Sequence, residues 1–237
     1  MIQDANRVAI DIETVSPDLE YWERPNFRDS KDFELLAVAL AWRQNPGPDI
    51  QTRVLFRDGW GSDSELALIE NTVTWLEAAE AEIYITYNGE TFDFRHLRGR
   101  CHIAAEEAGT GGALRERVEA SLSAAESVDL KHDAWAAFGD YTALGTACAR
   151  VGVAQETPHW QDYPHGLDPD ETRVECDKGT PTLLSSDVAQ FGERYLDWCD
   201  RENANGERLT ALKELLQTYA RADVVPLFEL ADARPYV

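Results

Sequence analysis

An α/β fold with a mixed central sheet is the architecture this sequence predicts, and three observations carry it. Strand-like segments open the chain, strands and helices then alternate, and most of the sequence beyond Pro181 has helical character. At 237 residues with 43% hydrophobic content, the chain can bury the core of one large domain.

The first strand is Val8 to Glu13. Residues two apart on a strand share a face, so Val8, Ile10 and Ile12 line one side while Asp11 and Glu13 leave the other together with Ala9. A polar connection leads to a second strand, Leu35 to Trp42. The turn-rich Asn45-Pro46-Gly47-Pro48 then leads to a third, Arg53 to Arg57, and the three read as an antiparallel meander. Ser62 or Ser64 caps a helix in which Leu66, Ile69, Val73 and Leu76 recur at helical spacing, running to about Ala81. Ile83 to Tyr87 is a buried strand, Asn88-Gly89 supplies a turn tolerant of positive φ, and a helix runs from Phe92 or Asp93 through Ile103. The first strand is expected centrally, with its acids near a sheet edge and facing the terminal helices.

After the turn Gly109-Thr110-Gly111-Gly112, a surface helix is predicted over Ala113 to Ala125, a short strand around Val128-Asp129-Leu130 and a helix from Leu144 to Val151. Ala154 to Pro181 has no periodicity and reads as a long functional or lid-like loop. Helices follow over Leu183 to Asn203 and from Leu209 to about Leu230. The expected organisation is a single domain over 1–237 with insertions at 104–127 and 154–181.

The charge is extreme. Forty-four acids against 22 bases give a formal −22 and a pI near 4.5, and only Lys31, Lys131, Lys178 and Lys213 are lysines. Such a chain suits a salt-accumulating halophile, where electrostatic screening acts within about 3 Å at molar salt. An acidic protein at ordinary salt is the alternative. Either way a broad basic nucleic-acid surface is excluded, and any polyanion must be captured locally. No stretch approaches the roughly 18 apolar residues of a membrane span, and no secretory leader is evident, so a soluble cytoplasmic protein is expected. Cys101, Cys148, Cys176 and Cys199 are too far apart for a zinc site and are expected as reduced thiols. Metal ligation is not expected of His96, His102, His159 or His165.

Asp11-Ile12-Glu13, then Tyr87-Asn88-Gly89-Glu90-Thr91-Phe92-Asp93, then Tyr219-Ala220-Arg221-Ala222-Asp223 carry a resemblance. Together, in this order and on these element types, they resemble the three exonuclease motifs of the DEDD 3′-5′ exonucleases. The match is to the tyrosine (DEDDy) subgroup, which includes the proofreading domains of family B DNA polymerases; the histidine subgroup would place His at position 218, which is Thr. The resemblance implies a ribonuclease H-like three-layer fold and metal-dependent hydrolysis at a nucleic-acid 3′ end. It also implies that Thr14 and Asn88 contact the substrate; Phe92 is a candidate for stacking on a base.

Physical chemistry supports the same roles. Two divalent cations about 3.5–4 Å apart can activate water and stabilise the leaving oxygen of a phosphodiester. Hard carboxylate oxygens suit Mg²⁺ or Mn²⁺, so Asp11, Glu13, Asp93 and Asp223 are the expected ligands of two ions. Tyr219 and Asp223, four apart, stack on one helix face, so the phenol can orient the attacking water. Read separately, each motif has a plainer explanation: a solvated strand face, a first-turn acid at Asp93, an ordinary core tyrosine.

Single-stranded DNA is the favoured substrate, with RNA open. A ribonuclease or endonuclease on the same fold, and a noncatalytic nucleic-acid-binding replication or repair module, are the alternatives. Arg95, Arg98 and Arg100 are candidates for phosphate contacts or for a solvated helix face. Trp160 and Tyr163 are candidates for base stacking or for core. Asp129 is kept outside the ligand set. Replication or repair proteins are the partners such a domain implies; the oligomeric state is left open.

Overall fold

A computed structural model of the chain describes residues 5–19, 23–43, 49–110, 112–139, 141–167, 182–201 and 206–236. Strands β1 (Arg7–Val15), β2 (Glu34–Arg43) and β3 (Gln51–Phe56) form the antiparallel meander. Strand β4 (Ile83–Thr86) joins β1 in parallel, and β5 (Glu126–Asp129) joins β4 in parallel. The order β3-β2-β1-β4-β5 makes β1 the middle strand. Its acids therefore lie not near a sheet edge, as expected, but toward the C-terminal end of the central strand. There the ladder with β4 has stopped at Ala9 opposite Ile85.

Helices α1 (Ser62–Ala79), α2 (Asp93–Glu107) and α3 (Ala113–Leu122) cover one face. Val8, Ile10 and Ile12 enter this core with Leu68, Ile69 and Leu97, as the alternation of β1 requires. The stretch 104–127, expected as an insertion, completes α2 and supplies Val118 and Leu122 of α3 to the same core.

The other face carries α4 (Leu130–Phe138), α5 (Leu144–Val151), α6 (Ser185–Cys199), α7 (Gly206–Val224) and α8 (Pro226–Asp232). Helix α4 was not expected, and β5 ends one residue before the predicted strand did. Asp129 caps α4 by accepting the N–H of Lys131 at 3.1 Å, and only Leu130 and Ala134 of that helix are buried, too few to print an apolar period. Pro226 divides the terminal helices, standing where α8 begins and a missing N–H is harmless.

Small residues decide how closely these helices approach. Ala37, Ala39 and Ala41 of β2 alternate with Val38 and Leu40, and in register Ala39 stands opposite Asp11 and Ala37 opposite Glu13. The two acids thus have alanines as cross-strand neighbours on the face that α7 covers with Ala220 and Val224. The register then shifts between Glu13 and Thr14, leaving Leu36 as an extra residue in β2. Helix α6 rests on this bulge at Gly192, where a Cβ would fall 2.4 Å from Leu36 Cδ2 and 2.9 Å from Val15 Cγ1.

Two open readings are decided here. Trp160 cannot receive a base, because it is 4% exposed and packs with His165 and Phe191, with Tyr163 half-buried against the same cluster. The first half of the supposed lid is therefore packed structure, while 168–181 lie outside the described residues. The arginines after the second motif are also engaged. Arg100 is buried on Glu65, with Nε–Oε1 at 2.9 Å and Nη2–Oε2 at 2.7 Å; Arg98 pairs with Glu119; and Arg95 donates to the Arg28 carbonyl. Cys101, Cys148 and Cys199 are free thiols, and Cys176 lies outside the described residues. No helix among the described residues is long and apolar enough to cross a membrane.

Glu65 is fully buried and also accepts the N–H of Leu35 at 2.7 Å, so its charge depends on Arg100. Arg100→Leu is expected to cost about 3–5 kcal/mol by stranding that carboxylate, read as a lowered urea midpoint. Glu65→Gln combined with Arg100→Leu should recover part of the loss.

Candidate metal and active centre

Two elements deliver carboxylates to one place. Asp11 and Glu13 come from β1 and Asp223 from the last turn of α7, and one oxygen of each lies within 4.8 Å of the other two. Glu13 is 9% exposed, and its buried Oε1 has no hydrogen-bond partner. A buried carboxylate oxygen without a donor, set among other acids, could be satisfied by a cation. The donor set is all oxygen, which fits a hard divalent ion.

Asp93, the fourth expected ligand, stands outside that triple. Its Oδ1 accepts the backbone N–H of Ile12 at 3.2 Å, a group left free because β1 outruns β4. Asp93 is 2% exposed, and its charge is still felt by Asp11 and Glu13.

Burial is the largest influence on all four acids. Asp11 and Glu13 are raised well above the usual carboxylate range, first by desolvation and then by their acidic neighbours. Asp93 is pushed up to about 7 by burial, partly offset by the Ile12 N–H. Asp223 is pushed up to about 6 by burial, offset by hydrogen bonds from Tyr219 and Gln155.

Tyr219 sits one turn before Asp223 and is 8% exposed. Its hydroxyl bonds Asp223, and burial with three nearby acids holds the phenol far above its ordinary pKa. It donates to the Asp223 carboxylate. Gln155 donates from Nε2 to Asp223 Oδ1 at 2.7 Å. Sequence reasoning missed this residue, since it lies in the aperiodic segment after α5 and nothing local marks it.

The second motif is a tied turn. Asn88 has φ +80°, and Gly89 lies so close to Thr86 that a Cβ would fall 2.4 Å from the Thr86 Cβ. Asp129 clamps the turn by accepting the N–H groups of Asn88 at 2.8 Å and Glu90 at 3.3 Å. Asp129, Glu90 and His132 also come within 4.8 Å of one another, but both Asp129 oxygens are occupied by this clamp. Lys131 Nζ donates to Asn88 Oδ1 at 2.7 Å. Phe92 directly precedes α2 and packs edge-on against Phe33 at 5.4 Å.

These residues open onto a cleft of about 900 Å³, lined by Thr14, Asn88 and Phe92 as expected, together with Asp11, Glu13, Asp93, Tyr219 and Asp223. Its other wall has no signature in the sequence. Ser186, Gln190, Glu193, Arg194 and Asp197 recur along one face of α6 and line the cleft, and Glu193 bonds the backbone of Ser16.

Residues 4–128, just over half the chain, match the family model of the DNA polymerase family B exonuclease domain. Among solved structures, the family B DNA polymerase of the hyperthermophilic archaeon Pyrobaculum calidifontis is similar, with a TM-score of 0.55 and 15% identity over 96% of this chain. The chain spans 24% of that polymerase, and at this identity the likeness concerns the fold, here ribonuclease H-like. No curated protein matches the sequence.

Two measurements test the site. Unfolded carboxylates ionise near pH 4, so between about pH 4 and 7 the metal-free fold holds more protons than the unfolded chain and loses stability as pH rises. Metal-free Asp93→Asn should therefore melt above wild type at pH 7.5, the gap narrowing toward pH 5, and Mn²⁺ should reverse the order. Gln155→Leu should weaken Mn²⁺ binding several-fold, read as a smaller Mn²⁺-induced rise in Tm.

Proposed function

The chain belongs to the family B DNA polymerase exonuclease-domain family, and from that premise we propose that it is a metal-dependent 3′-5′ exonuclease of the tyrosine subgroup acting on single-stranded DNA. The observation that carries this reading is the meeting of Asp11, Glu13 and Asp223 around an unpartnered Glu13 oxygen. We take 1–237 as one exonuclease-like unit.

Asp11, Glu13 and Asp223 would hold Mg²⁺ or Mn²⁺, and Asp93 would contribute the oxygen not engaged by Ile12. Divalent ions held there would supply Lewis acidity and charge neutralisation for phosphodiester hydrolysis. The raised pKa values follow from the same design, since acids held this close ionise together only when a cation compensates them. The chain's other groups position. Tyr219 and Gln155 fix the rotamer of Asp223 from two sides, and the Tyr219 oxygen, its proton committed to Asp223, can accept a hydrogen bond from a water in the cleft. Thr14 and Asn88, which line the cleft, would grip a terminal nucleotide, with Phe92 stacking on its base.

A 5′-labelled oligonucleotide incubated with Mn²⁺ at high salt should be shortened stepwise from its 3′ end, and a blocked 3′ end should resist. EDTA, Asp11→Asn and Asp223→Asn should each abolish digestion, with the variants' circular dichroism unchanged. Tyr219→Phe should lower turnover by about 10²- to 10³-fold, the scale of one transition-state hydrogen bond. Internal cuts, RNA digested in preference to DNA, or wild-type rates in either Asp variant would overturn the proposal.

A further inference from the structure

The cleft poses an electrostatic problem. Seven of its lining residues are Asp or Glu, in a chain of formal charge −22, and Arg194 is the one Arg or Lys among the described lining residues. A polyanion entering this cleft meets repulsion everywhere except at bound metal and at this guanidinium. Arg194 approaches the Asp197 carboxylate only at 4.0 Å, too long for a hydrogen bond, and its side chain keeps 34% of its surface. Its fork therefore remains able to engage a phosphate.

The same cleft holds an unusual aromatic residue on its α2 side. Phe27 is 62% exposed, although its ring lies 5.7 Å from that of Phe33 and 6.0 Å from that of Phe92. Bare aromatic surface is ordinary on a loose loop, but this loop is fastened. His96 Nε2 lies 3.3 Å from the Phe27 carbonyl, and Nδ1 of the same ring bonds Ser30 Oγ at 2.9 Å. The Asn26 N–H donates to Asp32 at 2.7 Å, and the Arg28 N–H donates to Asn26 Oδ1 at 3.1 Å. Ser30 also sits where a Cβ on Gly99 would be, within 2.1 Å of its Oγ, so the loop is seated directly on α2. The backbone is held while the ring is left open to the cleft.

We propose that Phe27 and Arg194 form a strand grip: a base upstream of the scissile bond stacks on Phe27, and Arg194 contacts a phosphate of the same strand. A base inside a duplex already has both faces stacked, so the grip favours an unpaired end. This rests on the exonuclease reading above and adds to it how the strand is held. Neither residue belongs to the three motifs, and they reach the cleft from opposite faces of the sheet.

The test measures binding and digestion separately. Binding of a fluorescent thymidine 12-mer with a 3′-terminal phosphorothioate is followed by anisotropy in Mn²⁺, across a range of salt. Phe27→Ala should raise both Kd and KM by about 5- to 100-fold, the range expected for one lost stacking contact, and Phe27→Trp should restore them. Arg194→Gln should reduce the slope of log K against log salt by about 0.7, one phosphate contact on a single strand, and Arg194→Lys should recover the slope. The Phe27→Ala penalty should shrink for a blunt duplex. Wild-type affinity and salt slope in both Phe27→Ala and Arg194→Gln, in a protein that digests normally, overturn the grip. If wild type binds the strand but digests nothing, the exonuclease reading falls, and loss of binding in the two variants still upholds the grip.

Discussion

Mutual repulsion among buried carboxylates is the constraint around which this protein is organised. Removing one charged group from water without compensation costs several kcal/mol, and placing like charges within 4.8 Å of it raises the cost further. The fold bears this at the C-terminal end of a central strand, where hydrophobic layers on both sides of the sheet hold β1 in place. A site made of mutually repelling acids would spread apart on a soft scaffold. Here the acids are fixed by α7 lying over alanines and by α6 seated on the Leu36 bulge.

Hydrogen bonding distributes the roles among the acids. Glu13 keeps an oxygen without a donor, whereas Asp223 is held by Tyr219 and Gln155, and Asp93 is held by a backbone N–H that the short β4 strand leaves available. The more tightly held groups have the more moderate pKa shifts, because hydrogen bonds to the charged form offset desolvation. The carboxylates of Asp93 and Asp223 are thus held by neighbours that themselves bear no charge.

The cleft around the acids has a comparable division of labour. The motif residues approach from β1, the Asn88 turn and α7, while α6 and the Phe27 loop enclose the space through which a strand would pass. The Asn88 turn is itself held from behind by Asp129 and Lys131. A very acidic surface and an anionic substrate are compatible only if attraction is concentrated at a few points, and the cleft lining follows that rule.

Local chemistry was legible in the sequence. The period of two in β1 determined that Asp11 and Glu13 share a face opposite Val8, Ile10 and Ile12, and the spacing of four determined that Tyr219 and Asp223 meet on one helix turn. The strand and helix order followed from the same periodicities, apart from α4, whose buried residues are too few to register. Only the tertiary structure decided that Trp160 is core, that Arg100 neutralises Glu65 instead of a phosphate, that Asp93 binds Ile12, and that Gln155 and the polar face of α6 belong to the site. The physical reason is that periodicity reports which way a side chain points relative to its own element. What it then touches is set by long-range packing, here by alanines in β2 and a missing Cβ at Gly192 that let distant helices close over the acids.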